Sequence, residues 1–165
     1  ISAAKSQIGK TVYYDPAYVK LDYPNGDIPL ERGVCTDVVI RSLRKSLQFD
    51  LQKNVHIDMR GNFSQYPKIW GLSRADKNID HRRVPNLQTY FKRKGWAVKI
   101  SNKGSDYKPG DLVTAMYPGN RPHIMLVSDV LDAEGNPKVI HNAGGGTREN
   151  AMLFSFPITG HYRIK

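Results

Sequence analysis

The chain contains a single cysteine, Cys35, at a position where a thiol could serve as a nucleophile. Arg-Gly-Val at 32–34 precedes it and an amphipathic segment begins with it, so we expect Cys35 to open a helix. The dipole and the free backbone N–H groups of a helix N-terminus favour the thiolate and lower the pKa of a cysteine from about 8.5. This placement therefore indicates nucleophilic chemistry. A small buried core residue is the other interpretation of a lone cysteine, and position alone does not separate the two.

Two histidines supply the base that a reactive thiol needs. His123 begins one predicted strand and His141 ends the next, and a turn at 134–137 joins the two strands. Antiparallel pairing would then bring both imidazoles to one end of a sheet. We expect His123 to accept the Cys35 proton and His141 to orient the His123 ring. The backbone N–H of Cys35 would donate to the oxyanion. These residue types also bind zinc, so a Cys35/His123/His141 metal site is an open alternative, although no close-paired ligand spacing supports it.

Hydrophobic periodicity predicts the elements that position these residues. Helices are predicted at 1–9, 35–47, 50–60 and 85–95, a loop at 13–33, and strands at 96–100, 111–117, 123–130, 138–141 and 161–164. Helices followed by short-connected strands are typical of the α+β class, with helices packed on an antiparallel sheet. We predict one catalytic domain over residues 1–165, made of a helix and loop (1–33), a helical half with the nucleophile (34–95) and a sheet half with the histidines (96–165).

Composition narrows the class of protein. The 165 residues include 39% apolar and 10% aromatic side chains, which excludes disorder along the whole chain. No run approaches the ~20 consecutive apolar residues of a membrane-spanning helix, and one cysteine excludes an intramolecular disulfide. Lys and Arg number 25 against 15 Asp and Glu, and the formal net charge of +10 suits nucleic acid, an anionic membrane surface or an acidic polymer.

The N-terminal residues bear on location. Residues 1–4 lack the basic head and apolar segment of a signal peptide, and the chain opens on Ile1 and not on methionine. We therefore expect the mature form of an exported protein, periplasmic or secreted, over a cytosolic one.

The order of four short motifs resembles the NlpC-type papain-like cysteine peptidases. The motifs are Gly-Val-Cys-Thr-Asp at 33–37, Pro-Gly-Asp-Leu-Val at 109–113, His-Ile-Met-Leu-Val at 123–127 and Val-Ile-His-Asn at 139–142. Asn-Ile-Asp-His-Arg-Arg-Val-Pro-Asn-Leu at 78–87 and Ile-Thr-Gly-His-Tyr-Arg at 158–163 are similar to an uncharacterised bacterial branch of that superfamily, a domain of unknown function. NlpC-type enzymes usually carry Asp-Cys-Ser-Gly at the nucleophile, and this chain has Val-Cys-Thr-Asp.

The resemblance implies a papain-like fold and a function. It implies a cysteine amidase or endopeptidase with Cys35, His123 and His141 as its triad, which cleaves peptidoglycan stem peptides near the γ-glutamyl–diamino-acid link. It also implies that Tyr23, about a dozen residues before the cysteine, contributes to the oxyanion or substrate site. No cofactor and no metal are expected.

Further polar residues are candidates for substrate binding. Arginine suits bidentate binding of the carboxylates that wall peptides display, which makes the run 80–83 a candidate for substrate binding. An ion pair of Asp80 with an arginine is the structural alternative. Asp37 would oppose a thiolate, so a structural or substrate-amine role fits it better. The substrate-binding candidates are Tyr23, Asp37, Asp80, His81, Arg82, Arg83 and Asn142, whereas we expect His56 and His161 to be structural.

Two other functions remain open. The same superfamily contains acyl-lipid hydrolases and acyltransferases with equivalent Cys and His residues. A non-catalytic basic module that binds nucleic acid or an anionic polymer is the alternative from another class, although the aromatics lack the interleaving of a base-stacking surface. Seven basic residues and no acid lie in 82–103. A solvated helix face explains such a run, but the triad favours concentration of an acidic wall polymer near the cleft. We expect peptidoglycan as partner, no nucleic acid, no membrane span, and a monomer.

Overall fold

The structure is a computed structural model that describes residues 1–165. Four α-helices are present: α1 (Ser2–Lys5), α2 (Cys35–Leu47), α3 (Leu51–Asn62) and α4 (Val84–Arg93). Eight strands accompany them: β1 (Tyr13–Tyr14), β2 (Arg32–Gly33), β3 (Ala97–Val98), β4 (Leu112–Tyr117), β5 (Arg121–Leu131), β6 (Pro137–Asn142), β7 (Thr147–Asn150) and β8 (Ile158–Tyr162). Short 3₁₀ turns lie at Phe63–Gln65, Asp80–Arg82 and Gly104–Asp106.

Six strands form one antiparallel sheet in the order β3-β8-β4-β5-β6-β7. The strands β1 and β2 pair separately and in parallel, directly before α2. The predicted α+β class with helices and an antiparallel sheet is therefore confirmed. None of the helices combines the length and the apolar character needed to cross a membrane.

The sheet is buried on both faces because successive side chains of a strand point in opposite directions. In β5, Ile124 and Leu126 join a cluster of 20 buried residues that also contains the apolar sides of α2, α3 and α4. Met125 and Val127 join a second cluster of 8 buried residues on the other face. The central strands β4 and β5 thus fix α2 on one face of the sheet and a layer of loops on the other.

The structure differs from the predicted elements at the first helix and at the strands that are short, polar or interrupted by glycine. The first helix ends at Lys5 and not at residue 9, and turns follow it. The strands β1 and β2 lie inside the predicted loop, since two residues each give no readable period. The strand β7, Thr-Arg-Glu-Asn, was not predicted because it is polar and lies at the sheet edge. The last strand is 158–162 and not 161–164, because Gly160 interrupts its β-forming pattern.

Candidate active site

The two histidines of the sheet lie in contact, as antiparallel pairing predicts. The Nε2 atom of His123 on β5 is 2.7 Å from Nδ1 of His141 on β6. The Nε2 atom of His141 is in turn 2.7 Å from Oδ1 of Asn150 on β7. An amide oxygen only accepts hydrogen bonds, so His141 carries its proton on Nε2 and, when neutral, accepts at Nδ1. His123 therefore donates from Nε2 and keeps the lone pair of Nδ1 available for a proton.

The surroundings keep these imidazoles neutral. His123 is 5% exposed, and burial, His141 and Arg121 together lower its pKa to about 3. Burial also lowers the pKa of His141, against the opposing effect of Asn150. The ring of His123 packs on that of Tyr117, with 4.2 Å between the ring centroids. At neutral pH this histidine chain is therefore uncharged.

Cys35 is the first residue of α2, and its sulfur lies against the backbone of β5 at Ile124. The N–H groups of Ile124, of Thr36 and of Cys35 itself act on the sulfur and lower the thiol pKa. Burial has the larger effect and raises the pKa of Cys35 to about 11. The expectation of a lowered thiol pKa is thus wrong for this structure. The helix terminus is present, but the sulfur is shielded from water, and desolvation disfavours the thiolate.

Sulfur and imidazole approach the same stretch of β5. Cys35 belongs to the helix-side cluster, whereas His123, two residues before Met125, projects from the opposite face. No hydrogen bond joins the two side chains, and Ile124 N–H lies beside the sulfur. Tyr117 links them, since it packs on His123 and its own pKa is raised to about 12 by burial and by Cys35.

A buried ion pair holds the start of α2. Asp37 accepts a hydrogen bond from the Val34 N–H at 2.7 Å and so caps the helix. Its carboxylate also binds Arg82 through Nε at 3.2 Å and Nη2 at 2.9 Å. Thr36 Oγ1 donates to the Arg82 carbonyl at 3.1 Å. Asp37 and Arg82 therefore hold the start of α2, where Cys35 lies, and both side chains are almost wholly buried.

Arg82 also fixes one wall of the cleft. Its Nη1 donates to the Ala17 carbonyl at 3.4 Å and its Nη2 to the Asp15 carbonyl at 3.3 Å. These bonds hold the segment that carries Tyr14 and Tyr18 against the start of α2. Tyr14 lines the cleft, and burial and Cys35 raise its pKa, so its hydroxyl stays a hydrogen-bond donor.

A cleft of about 620 Å³ opens at Cys35. Most of its lining is apolar or aromatic, including Trp70, Val84, Met116 and Pro122. Arg83 also lines the cleft, and its guanidinium lies 4.4 Å from the centroid of the Trp70 ring. The Nη1 atom of Arg83 is buried without a hydrogen-bond partner. Of the two neighbouring arginines predicted for substrate, Arg83 is the one with an unused donor in the cleft.

Asp80 and His81 do not line this cleft. The Asp80 side chain accepts from the Asp76 N–H and pairs with no arginine, so the predicted ion pair is absent. Burial raises the pKa of Asp80 to about 6. His81 is 2% exposed, and burial lowers its pKa to about 3. Both residues are parts of the packed turn behind the cleft.

Asn142 and Tyr23 are also placed outside the cleft. The Asn142 side chain donates to the Gly33 carbonyl at 3.2 Å and accepts from the N–H groups of Gly144 and Gly146 at 3.1 and 3.2 Å. It ties the glycine turn after β6 to the segment before Cys35, which is a structural role. Tyr23 packs on His56 with 5.3 Å between ring centroids. The spacing argument fails because the chain turns at 23–25 and directs the Tyr23 ring towards α3.

The remaining histidine predictions can be compared with the structure. His161 has a partner that was not foreseen, since its Nε2 lies 2.6 Å from Asp111 Oδ2, which also binds Arg163 at 2.7 Å. This cluster joins β8 to the start of β4. The structure does not gather Cys35, His123 and His141 into a metal-ligating group.

Sequence reasoning missed three residues of the site. Tyr14 and Tyr117 resemble ordinary aromatics in the sequence, and Asn150 lies in the polar strand β7. Asn150 could have been found from the number of residues between His141 and Asn150, because two antiparallel strands joined by the glycine turn would bring these residues together. Val139 pairs with Asn150 and His141 with Arg148. His141 and Asn150 are thus diagonal neighbours on one face, within reach of polar side chains.

Fold and site together define an α+β domain in which a cysteine at a helix start meets the β5 backbone at Ile124, next to His123, the first member of a His–His–Asn hydrogen-bonded chain. The three members of that chain do not line the cleft at Cys35. The chain belongs to the family described as Domain of unknown function (DUF1287), which matches residues 1–164. It is 54% identical over 160 residues to the Uncharacterized protein YijF of Escherichia coli (strain K12), a match that covers 97% of this chain and 78% of that protein. The expected membership of a bacterial domain-of-unknown-function family is confirmed.

Proposed function

We propose that this protein is a cysteine amidase or endopeptidase that hydrolyses amide bonds of peptidoglycan stem peptides through a thioester on Cys35. The observation that carries the proposal is the hydrogen-bonded chain His123–His141–Asn150, whose first member precedes the residue of β5 that meets the Cys35 sulfur at a helix start. This chain fixes the tautomer that a general base needs. The motif resemblance to NlpC-type enzymes supports the same residues and a single papain-like domain. The substrate lies outside the cytoplasmic membrane, so the proposal includes a periplasmic or secreted location.

Acylation begins from a neutral thiol and a neutral imidazole. As Sγ of Cys35 bonds to the amide carbon, the thiol proton passes to Nδ1 of His123. The carbonyl becomes an oxyanion, to which the Cys35 N–H and the Tyr14 hydroxyl donate. The C–N bond then breaks, and the His123 imidazolium gives its proton to the departing amine. His141 and Asn150 hold the ring orientation throughout. The proposal requires that Sγ of Cys35 and Nδ1 of His123 come within hydrogen-bonding distance when substrate binds.

Deacylation uses the same groups with water in place of the thiol. Nδ1 of His123 takes a proton from water while the water oxygen bonds to the thioester carbon. The C–S bond breaks, the acid leaves, and the imidazolium returns its proton to the sulfur. Arg83 is the carboxylate anchor of the proposal, because it lines a cleft with mostly apolar walls and its buried Nη1 has no hydrogen-bond partner.

The test is incubation of purified peptidoglycan with the wild type and with Cys35→Ala, followed by chromatography of the released fragments. Ser46→Ala, at the far end of α2, is the matched control and should release fragments like the wild type. We expect His123→Gln to release none. Identical fragment profiles from the wild type and Cys35→Ala would contradict the proposal.

An acyl-lipid hydrolase or acyltransferase is the second candidate, and the apolar lining of the cleft favours it. An apolar acyl group would bury well against Trp70 and Met116. Hydrolysis of p-nitrophenyl octanoate that depends on Cys35, without Cys35-dependent peptidoglycan fragments, would establish this candidate. If neither substrate is cleaved and single-stranded DNA binds with steep salt dependence in Cys35→Ala, the non-catalytic basic module is supported.

A further inference from the structure

A second hollow lies beside the cleft, on the other side of Tyr18. It has a volume of about 800 Å³ and is formed by the last two turns of α3 and by the segment 72–78. Tyr18 is the residue that borders both hollows. We call this second hollow the basic groove, because Arg60, Arg74 and Lys77 line it.

The basic groove carries unused positive charge. Arg60, Arg74 and Lys77 are exposed, and none of them forms an ion pair. The acid of the groove, Asp76, is already engaged, since its carboxylate accepts from the Tyr18 hydroxyl at 2.7 Å and from the Asn78 N–H at 2.8 Å. A polar atom is also unused, because Nδ1 of His56 is buried without a hydrogen-bond partner. Three cations without an ion-pair partner and the unpartnered Nδ1 of His56 therefore belong to residues that line a single hollow. The Nζ atom of Lys77 also lies 5.5 Å from the centroid of the Tyr23 ring.

The cleft and the basic groove are held in a fixed relation. Tyr18 is bound to the segment between them through Asp76 and through Asn78 Nδ2, which is 3.0 Å from the Tyr18 oxygen. The same segment presents Ile69 and Trp70 to the cleft and residues 72–78 to the groove. A ligand that passes over the Tyr18 ring would occupy both hollows without rearrangement of the chain.

The other basic residues near the cleft do not form such a surface. The run 82–103, which we expected to gather an acidic polymer, is dispersed in the structure. Arg93 is paired with Asp58 at 2.7 Å, and Lys99 and Lys103 line a different hollow near β3. Arg83 is the residue of that run that lines the cleft without an ion pair, and the free positive charge of the neighbouring hollow is supplied by α3 and by 72–78.

We infer that the basic groove binds carboxylates of a second part of the substrate polymer while the scissile amide lies at Cys35. The inference rests on the proposed function and adds to it a substrate class, namely an extended, carboxylate-bearing wall polymer rather than a short peptide. Carboxylates suit the groove because arginine binds them in a bidentate way. Tyr18, between the two hollows, provides an aromatic surface against which the connecting part of the polymer packs.

The test measures binding apart from catalysis. Cys35→Ala protein is mixed with insoluble peptidoglycan at low salt, the polymer is pelleted, and the bound fraction is measured. In this background the triple variant Arg60→Gln, Arg74→Gln, Lys77→Gln removes the groove charge. The triple variant Lys99→Gln, Lys103→Gln, Lys108→Gln removes the same charge elsewhere and is the matched control. We expect the groove variant to bind roughly tenfold more weakly and the control to bind like its parent.

Chemical amidation of the polymer carboxylates should abolish the difference between the groove variant and its parent. An equal loss in both triple variants would show a mere effect of net charge and would overturn the inference. A groove-dependent loss for single-stranded DNA but not for peptidoglycan would also overturn it, in favour of a phosphate polymer. If the groove triple variant fails to fold by circular dichroism, Arg74→Gln alone, on the exposed segment, carries the test with a smaller expected loss.

The outcomes also separate this inference from the proposed function. Cys35-dependent fragments with unchanged binding in the groove variant would refute the groove alone. Groove-dependent binding without Cys35-dependent fragments would refute the amidase proposal alone.

Discussion

Substitution of Arg82 by methionine tests whether the buried ion pair holds the start of α2. The side chains of Arg82 and Asp37 are 3% and 4% exposed. Arg82 makes four side-chain hydrogen bonds, two to the Asp37 carboxylate and two to the carbonyls of Asp15 and Ala17. Methionine keeps much of the length and the apolar contacts of the side chain but makes none of these bonds. Asp37 would be left as a buried carboxylate whose remaining hydrogen bond is the one from Val34 N–H.

The expected cost is large because one partner of a buried pair is removed and the other stays charged. Loss of one partner typically lowers the free energy of unfolding by about 3–5 kcal/mol. For a chain of 165 residues, each kcal/mol corresponds to roughly 2–4 °C in Tm. Arg82→Met should therefore lower the Tm by about 6–20 °C and shift the urea midpoint in the same direction. Thermal and urea unfolding followed by circular dichroism measure both quantities.

The neighbouring arginine provides the control. Arg83 forms no ion pair and stacks on Trp70, so Arg83→Met should cost no more than about 1 kcal/mol. The double variant Asp37→Asn, Arg82→Met removes the stranded charge and keeps an acceptor for Val34, so it should be more stable than Arg82→Met alone. Equal losses for Arg82→Met and Arg83→Met, or a double variant less stable than Arg82→Met, would refute this account.

Three further predictions concern the buried histidines. Because the pKa of His123 is lowered to about 3, the acidic limb of kcat/KM should lie well below pH 6.5, and a limb near pH 6.5 would contradict the proposed base. Asn150→Asp should raise the pKa of the histidine pair and move the acidic limb of kcat/KM to higher pH, which a pH profile measures. Asn150→Leu should lower kcat roughly 10–100-fold with little change in KM, which steady-state kinetics measure. The folded-state pKa of His81, about 3, lies below the unfolded value of about 6.5. Between these two pH values the unfolded chain binds a proton at His81 and the folded chain does not, so the free energy of unfolding decreases as the pH falls from 6.5 towards 3. Urea unfolding at pH 7 and pH 5 should show a smaller loss for His81→Gln than for the wild type, by up to about 1.4 kcal/mol per pH unit.

The parts of the site that were predictable are those on strongly patterned elements. His123 and His141 lie on adjacent apolar strands joined by a short turn, and this local arrangement fixes their proximity. Cys35 was placed correctly at the start of α2 because the amphipathic period begins there. Each of these inferences depends on residues close in sequence, so a local sequence pattern is enough to predict it.

The roles of the two neighbouring arginines were not predictable. Arg82 and Arg83 have the same chemistry and adjacent positions, yet one is buried against Asp37 and the other is free in the cleft. The difference arises from a contact across 45 positions of the chain, and no local pattern encodes it. The placement of Tyr23 was not predictable for the same reason, since its ring packs on His56 in α3, a residue distant in sequence.

The thiol pKa shows how a correct local prediction can yield a wrong electrostatic conclusion. The helix start and the three N–H groups stabilise a thiolate as expected, but sequence position does not report how much water reaches the sulfur. Burial outweighs those groups and raises the pKa of Cys35 to about 11. The same burial keeps His123 unprotonated down to about pH 3. Over the whole range between these values the resting site holds a neutral thiol and a neutral base, not an ion pair. Under the proposed function, proton transfer then accompanies attack on the substrate, and we expect the reactivity of Cys35 to depend on the chain that orients His123 more than on the helix that carries the sulfur.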